Sequence, residues 1–214
     1  MTQHDLKKRL EQGALQMQIE LSTAQVDLLI QYVTLFHKWN KTYNLSAIRN
    51  IEEVVDRHIL DSLSVFAYLP QGAQRFIDVG TGGGLPGIPL AIVRPDMQVT
   101  MLDSNGKKTR FLFQVLLELG LKNAAVVNER VERYQPDMLF DGVISRAFAS
   151  LWDMVSGCEH LLHCEGFFWA MKGVYPQSEI EELPERFQLE QSYEIQVARC
   201  DGQRHLLKLS KQSA

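Results

Sequence analysis

Three cysteines in 214 residues, Cys158, Cys164 and Cys200, are too few and too scattered for a disulfide framework. No apolar run approaches the ~20 residues of a membrane span, and the opening Met1-Thr2-Gln3-His4-Asp5 has no apolar signal core. A reducing, cytoplasmic setting is therefore expected. There is no excess of positive charge: 22 Lys and Arg face 26 Asp and Glu, a net charge of −4. That argues against coating nucleic acid through bulk charge but leaves room for a local basic patch. Residues 151–214 hold the whole deficit, with 6 basic and 10 acidic side chains, so such a patch would draw mainly on the first 150. Repeats, low-complexity tracts and long linkers are also missing. With 45% hydrophobic and 22% charged residues, a core can form without disulfides or structural metals.

What is present divides near residue 70. Residues 1–70 read as a helical extension, beginning with a short charged helix carrying Leu6, Leu10 and Leu15. A second helix runs from an N-cap at Thr23 to about Asn40, with Val26, Leu29, Ile30, Val33, Phe36 and Trp39 at helical spacing. A third begins near Ile51 and carries Val54, Val55, Ile59, Leu63 and Phe66, until Pro70-Gln71-Gly72 punctuates the chain.

Residues 71–214 alternate strand and helix. Strands are predicted at Arg75–Val79, Gln98–Leu102, Ala124–Asn128, Gly142–Ser145 and Phe167–Met171, with helices at Lys107–Leu119 and Leu151–Leu162. That alternation implies a parallel, doubly wound α/β sheet with right-handed crossovers. Tyr193–Ala198 and His205–Leu209, with Asp201-Gly202 between them, read as a terminal hairpin that brings the sheet to seven strands.

The strongest local signal is Phe76-Ile77-Asp78-Val79-Gly80-Thr81-Gly82-Gly83-Gly84-Leu85-Pro86-Gly87, which follows a strand and opens a helix. Glycines there let the chain turn sharply and let a ligand approach the backbone. A phosphate loop would end in Gly-Lys-Ser/Thr, but Gly87 is followed by Ile88-Pro89. Gly82-Gly83-Gly84-Leu85-Pro86-Gly87 formally matches the dinucleotide pattern, which is weak alone. Asp78, ending the strand, would repel a pyrophosphate but can receive the ammonium of S-adenosylmethionine. The Gly80-x-Gly82-x-Gly84 spacing points the same way. Asp103 ends the second strand 21 residues after Gly82, placed to accept ribose hydroxyls. An NAD enzyme would share Asp103 but not Asp78. At the end of the third strand Val131 could pack on an adenine and Glu132 bond its edge, or the turn could simply be solvated.

Other chemistry is missing. The fourth strand ends Ser145-Arg146-Ala147-Phe148, without the Asn/Asp-Pro-Pro-aromatic motif of exocyclic-amine methylation, and no cysteine follows a proline as a cytosine-C5 nucleophile would. In Cys158-Glu159-His160-Leu161-Leu162-His163-Cys164 the residues Cys158 and His160 lie two apart and diverge on a helix, no second Cys/His pair lies nearby, and no metal site is expected.

Five segments in this order, Trp39–Leu45, Arg57–Ser62, Asp78–Pro89, Ser145–Phe148 and Asp201–His205, closely resemble the bacterial small-subunit ribosomal RNA guanine-N7 methyltransferase family, once called glucose-inhibited division protein B. The resemblance covers nearly the whole chain. It implies a Rossmann-like class I methyltransferase sheet with an N-terminal helical extension, a cytoplasmic monomer, and methylation of a guanine N7 in the decoding region of 16S RNA, on naked RNA or the 30S subunit. Gly80, Leu85, Val131, Glu132 and Arg146 match family cofactor-contact positions, while Gly83 stands where many relatives have proline. N7 has a free lone pair and no proton to lose, so no general base, and hence no catalytic side chain, is expected. Arg146 is expected to bind cofactor, phosphate or the guanine O6 edge, the alternative being a salt bridge to Asp141 or Asp78. His58, Lys172, Arg204 and His205 are candidate RNA contacts. His58, Asp61 and Ser62 share one helical face and could instead form a buried cluster that docks the extension. A methyltransferase of proteins or small molecules, an NAD-dependent oxidoreductase and a non-catalytic RNA-binding assembly factor stay open at this point.

Overall fold

The computed structural model describes residues 2–72 and 74–212. Helix α1 (Gln3–Gln16) starts at a reciprocal cap, in which Thr2 accepts from Asp5 N and the Asp5 carboxylate accepts from Thr2 N. It buries Leu6, Leu10 and Ala14, but Leu15 is 72% exposed. Nine residues at about 100° each put Leu15 half a turn from Leu6, so it leaves the stripe predicted for it. Helix α2 (Thr23–Tyr43) is capped by Ser22, not Thr23, paired with Gln25. It runs past Asn40 and stops where Asn44 turns left-handed at φ 52. The third predicted helix is one rod in three parts: α3 (Ile51–Val54), a π-helical turn (Val55–Leu60) and α4 (Asp61–Leu63). Val54, Val55, Ile59 and Leu63 are buried as expected, and with them the polar Asp56, His58 and Asp61.

The sheet contains β1 (Arg75–Val79), β2 (Gln98–Leu102), β3 (Ala124–Val127), β4 (Phe140–Ser145), β5 (Leu162–Lys172), β6 (Phe187–Glu194) and β7 (His205–Lys211). Its order is β3-β2-β1-β4-β5-β7-β6. The first five strands are parallel; β7 lies antiparallel between β5 and β6. Helices α5 (Gly87–Val93) and α6 (Gly106–Leu119) cover one face and α7 (Leu151–Cys158) the other, with α8 (Gln177–Glu181) following β5.

Several predicted boundaries move, most of all at two places. α7 ends at Cys158, a single 3-10 turn (Glu159–Leu161) follows, and β5 already begins at Leu162. The penultimate strand is not Tyr193–Ala198 but Phe187–Glu194. Ile195 and Val197 are buried as their alternation suggested. They sit, however, in an irregular connection closed by Ile195 N donating to Arg204 O at 2.7 Å, so the pair is a long-looped hairpin. Apolar alternation records burial, and a buried loop produces it as readily as a strand.

One core cluster runs without a break from Leu6 and Leu10 through Val33 and Phe36 to Phe111 and Trp169. The extension therefore shares its hydrophobic core with the sheet.

Candidate active site

The strand order reverses between β1 and β4, and a crevice opens there outside the C-terminal ends of the strands. The loop after β1 is held from both sides. Gly80 N and Thr81 N donate to Leu102 O, and Gly82 N donates to Asp103 Oδ2 at 2.9 Å. Gly84 N and Leu85 N both donate to Thr81 O. Gly82 and Gly84 have φ of +61° and +94°, a region that penalises any side chain. At Gly80 a Cβ would lie 2.8 Å from that of Ala147, so the β1 and β4 ends approach each other through this glycine.

A cavity of about 340 Å³ opens beside the loop, lined by Gly80, Asp103, Val131 and Glu132 among the predicted residues. Ser104, Lys108, Arg130, Ala147 and Phe148 complete much of its wall. Lys108 and Ser104 were not anticipated, although a helix that follows Asp103 by a few residues could have flagged them. Gly82, Gly84 and Leu85 shape the turn and do not line the cavity. Asp103 accepts from Gly82 N and Asn105 N with different oxygens, which fixes the carboxylate plane and leaves lone pairs for hydroxyl groups.

Asp78 lies deeper. One oxygen, Oδ2, accepts from Thr81 Oγ1 at 2.7 Å and Gly87 N at 2.8 Å; the other, Oδ1, is buried without a partner. Burial, only partly offset by those two hydrogen bonds, pushes the carboxyl up to about 6. A buried unpartnered carboxylate oxygen is costly unless a donor arrives. An ammonium is a suitable donor and a pyrophosphate is not, so these residues fit an amino-acid-bearing nucleoside such as S-adenosylmethionine.

Arg146 turns away from this cavity. Its Nη1 lies 3.0 Å from Asp61 Oδ2, and it pairs with neither Asp141 nor Asp78, the partners weighed from sequence. Asp141 instead accepts from Arg75 N. Arg204 Nε takes the other Asp61 oxygen at 2.9 Å. Around this pair lies a second cavity of about 210 Å³, walled by Asp61, Arg146, Lys172, Gly173, Arg204 and His205 among others. Three of the four predicted RNA contacts thus meet at one place, but with their freedom reduced. Lys172 is paired with Glu179 at 2.8 Å, and His205 is buried with Nδ1 2.8 Å from Gly173 O.

His58 lies behind Arg146 and does not line the cavity. Its Nδ1 is 3.1 Å from Arg57 O and 3.4 Å from Arg146 Nη2. The nearer carbonyl needs a proton on Nδ1, which leaves Nε2 to accept the Ser46 hydroxyl at 2.8 Å. Burial and then Arg146 press its pKa down to about 4, so the ring is neutral. Ser62 is fully buried and its hydroxyl has no partner. Cys158 belongs to the core under α7 and burial raises its thiol to about 12, which removes it as a nucleophile.

Consecutive residues after β4 line the two cavities: Arg146 one, Ala147 and Phe148 the other.

The family model described as rRNA small subunit methyltransferase G matches residues 25–207. The ribosomal RNA small subunit methyltransferase G of Saccharophagus degradans is 53% identical over 203 residues, 95% of this chain and 90% of its own length. That of Cellvibrio japonicus is 52% identical over 210 residues, 97% and 96% of the two chains. Among solved structures, TrmN from Thermus thermophilus superposes with a TM-score of 0.58 at 17% identity, over 74% of this chain and 53% of its own. A SAM-dependent methyltransferase from Aquifex aeolicus gives 0.57 at 14% identity, over 73% and 92%. These two share the fold.

Proposed function

The chain belongs to the rRNA small subunit methyltransferase G family, and from that premise we propose that it transfers a methyl group from S-adenosylmethionine to N7 of a guanine in the decoding region of small-subunit RNA. It is an rRNA methyltransferase by that membership. The further reading is that it works as a cytoplasmic monomer on the RNA or the 30S subunit. The observation that carries the reading is that the consecutive residues Arg146-Ala147-Phe148 line the two cavities.

S-adenosylmethionine, when bound, supplies an electrophilic methyl on a sulfonium sulfur. The Asp78 carboxylate holds the ammonium through its unpartnered oxygen. Asp103 accepts the ribose hydroxyls. Val131 packs on the adenine and Glu132 accepts from its edge, with Gly80, Gly82, Gly84 and Leu85 shaping the backbone that admits the ligand. Arg146 and Arg204 hold the acceptor strand, and Lys172 and His205 close its cavity. His58 lies behind them as a neutral ring held by Arg57 O and the Ser46 hydroxyl. Phe148, on the wall of the first cavity, would stack on an extruded base.

Guanine N7 attacks with an in-plane lone pair and loses no proton, so the protein needs to align and dry the site rather than supply a base. Positive charge passes to the guanine ring. Arg146 next to that ring would not stabilise it, which fits a guanidinium drawn back onto Asp61.

The test is transfer from labelled S-adenosylmethionine to small-subunit RNA lacking its native methyls, followed by nuclease digestion and mass spectrometry. Naked RNA and intact subunits are run in parallel. The expected product is 7-methylguanosine at one site. Retained cofactor with no label in either RNA would overturn the RNA assignment and bring protein or small-molecule acceptors forward.

A further inference from the structure

The extension touches the site at two separate points. From α2, the fully buried Tyr32 donates its hydroxyl to Gly83 O at 2.6 Å. Burial raises the phenol well above its usual range, so it stays a donor. That carbonyl belongs to the same peptide as Gly84 N, which donates to Thr81 O. The peptide between Gly83 and Gly84 is thus gripped from both sides, where two glycines, Gly84 at φ +94°, would otherwise let it rotate. Phe36 presses on the same place: a Cβ at Gly83 would come 2.4 Å from its ring.

The second point is Asp61, on α4. This buried carboxylate takes one guanidinium on each oxygen, Arg146 from the end of β4 and Arg204 from the connection before β7. The two arginine side chains remain 26% and 28% exposed and share one carboxylate, so one positive charge stays uncompensated within the pair. Each arginine has five N–H donors and gives only one to Asp61, leaving donors for an anionic strand.

We propose that the N-terminal helices position the two halves of the transfer site independently. Tyr32 acts through Gly83 on the cofactor, and Asp61 acts through Arg146 and Arg204 on the RNA acceptor. Both are positioning residues, and the proposal rests on the methyl-transfer reading above. A rival role for Asp61 gives the opposite sign. If it merely neutralised the arginines, removing its charge would strengthen RNA binding. If it aims them, removing its charge weakens RNA binding, because two long side chains regain their rotamer freedom.

The experiment uses the full chain and the variants Tyr32→Phe, which keeps the ring, and Asp61→Asn, which keeps the shape. The affinity for S-adenosylmethionine is read by calorimetry, the KM for RNA and kcat by label incorporation, and the fold by melting temperature. Tyr32→Phe is expected to raise the S-adenosylmethionine Kd about tenfold, the scale of one lost buried hydrogen bond, with the RNA KM within about twofold. Asp61→Asn is expected to raise the RNA KM about tenfold with the cofactor Kd within about twofold, and Asp61→Glu to recover part of that loss. Parallel loss of both affinities in both variants would overturn the proposal, as would an RNA KM lowered by Asp61→Asn. Should Asp61→Asn fail to fold, Arg204→Lys makes the same decision from the other side of the pair: an unchanged RNA KM would overturn the acceptor half. Wild-type protein that binds the cofactor but methylates no RNA would sink the functional reading instead, and the Tyr32→Phe affinity would still decide the cofactor half.

Discussion

Asp78 and His58 titrate in opposite senses over overlapping ranges. Burial raises Asp78 from 3.8 to about 6. The folded protein therefore keeps a proton that the unfolded chain has released, and the free protein loses stability as pH rises through that window. A bound ammonium reverses this by favouring the carboxylate. S-adenosylmethionine affinity should fall as pH drops below about 6, by up to about tenfold per unit, and calorimetry from pH 5 to 8 should show it. Asp78→Asn should bind weakly at every pH and show a flat profile. Burial lowers His58 from 6.5 to about 4, so its contribution is present above about 6.5 and is lost as pH falls towards 4. In the wild type the two slopes partly cancel. Denaturant titrations of His58→Gln should leave a stability that declines as pH rises from 4 to 6, and those of Asp78→Asn one that increases; slopes unchanged from wild type would refute both assignments. Of the cofactor residues expected from chain order, Gly80, Asp103, Val131 and Glu132 line one cavity and Asp78 lies in β1 beside it, each in or after a strand where chain order places it in space. Tyr32 was not legible, because an aromatic on a helical stripe looks the same whether it fills a core or grips a loop. Nor was the Asp61 pairing, whose partners lie 85 and 143 residues away.

Helix starts and strand limits were less legible than element type, since each depends on a single backbone partner. Ser22 and Thr23 are both good caps by composition, and only Ser22 has the extended backbone that lets its hydroxyl accept from Gln25 N. Ser22→Ala should cost about 1 kcal/mol of stability, while Thr23→Ala changes it by a few tenths at most. Thermal melts of the two variants decide this, and equal losses would return the cap to Thr23. The π-helical turn at Val55–Leu60 left no mark in the apolar spacing, because its apolar side chains stay inside while the extra residue widens only the backbone. Its buried polar residues are explained by partners the sequence did not reveal, Asp56 by Arg9 and His58 by Ser46. On β6, a register shift between Leu189 and Gln191 and a mostly exposed face blurred the alternation, and the strand was placed too late.

For the molecule as a whole, a net charge of −4 means that RNA must be held by a local patch against a repulsive background. Arg204→Ala should therefore weaken RNA binding and reduce the magnitude of the log K against log salt slope by about 1, an unchanged slope placing the strand elsewhere. A protein so short of positive charge is expected to read its substrate largely by shape, so assembled subunits should be methylated faster than naked RNA. Equal rates would count against that. The division near residue 70 was legible as a change of pattern, but the continuous core from Leu6 to Trp169 was not, because periodicity shows that a face is buried and not against what. The strand order also bears on how the chain is made. Among the described residues β6 is an edge strand whose one sheet partner is β7, which is synthesised after it. During translation β6 must wait unpaired, with the parallel strands already able to assemble. The long connection it waits on ends at Arg204, and His205 opens β7. Arg204 and His205, which line the second cavity, follow every residue that lines the first, so a nascent chain can form the first cavity before the second has its walls.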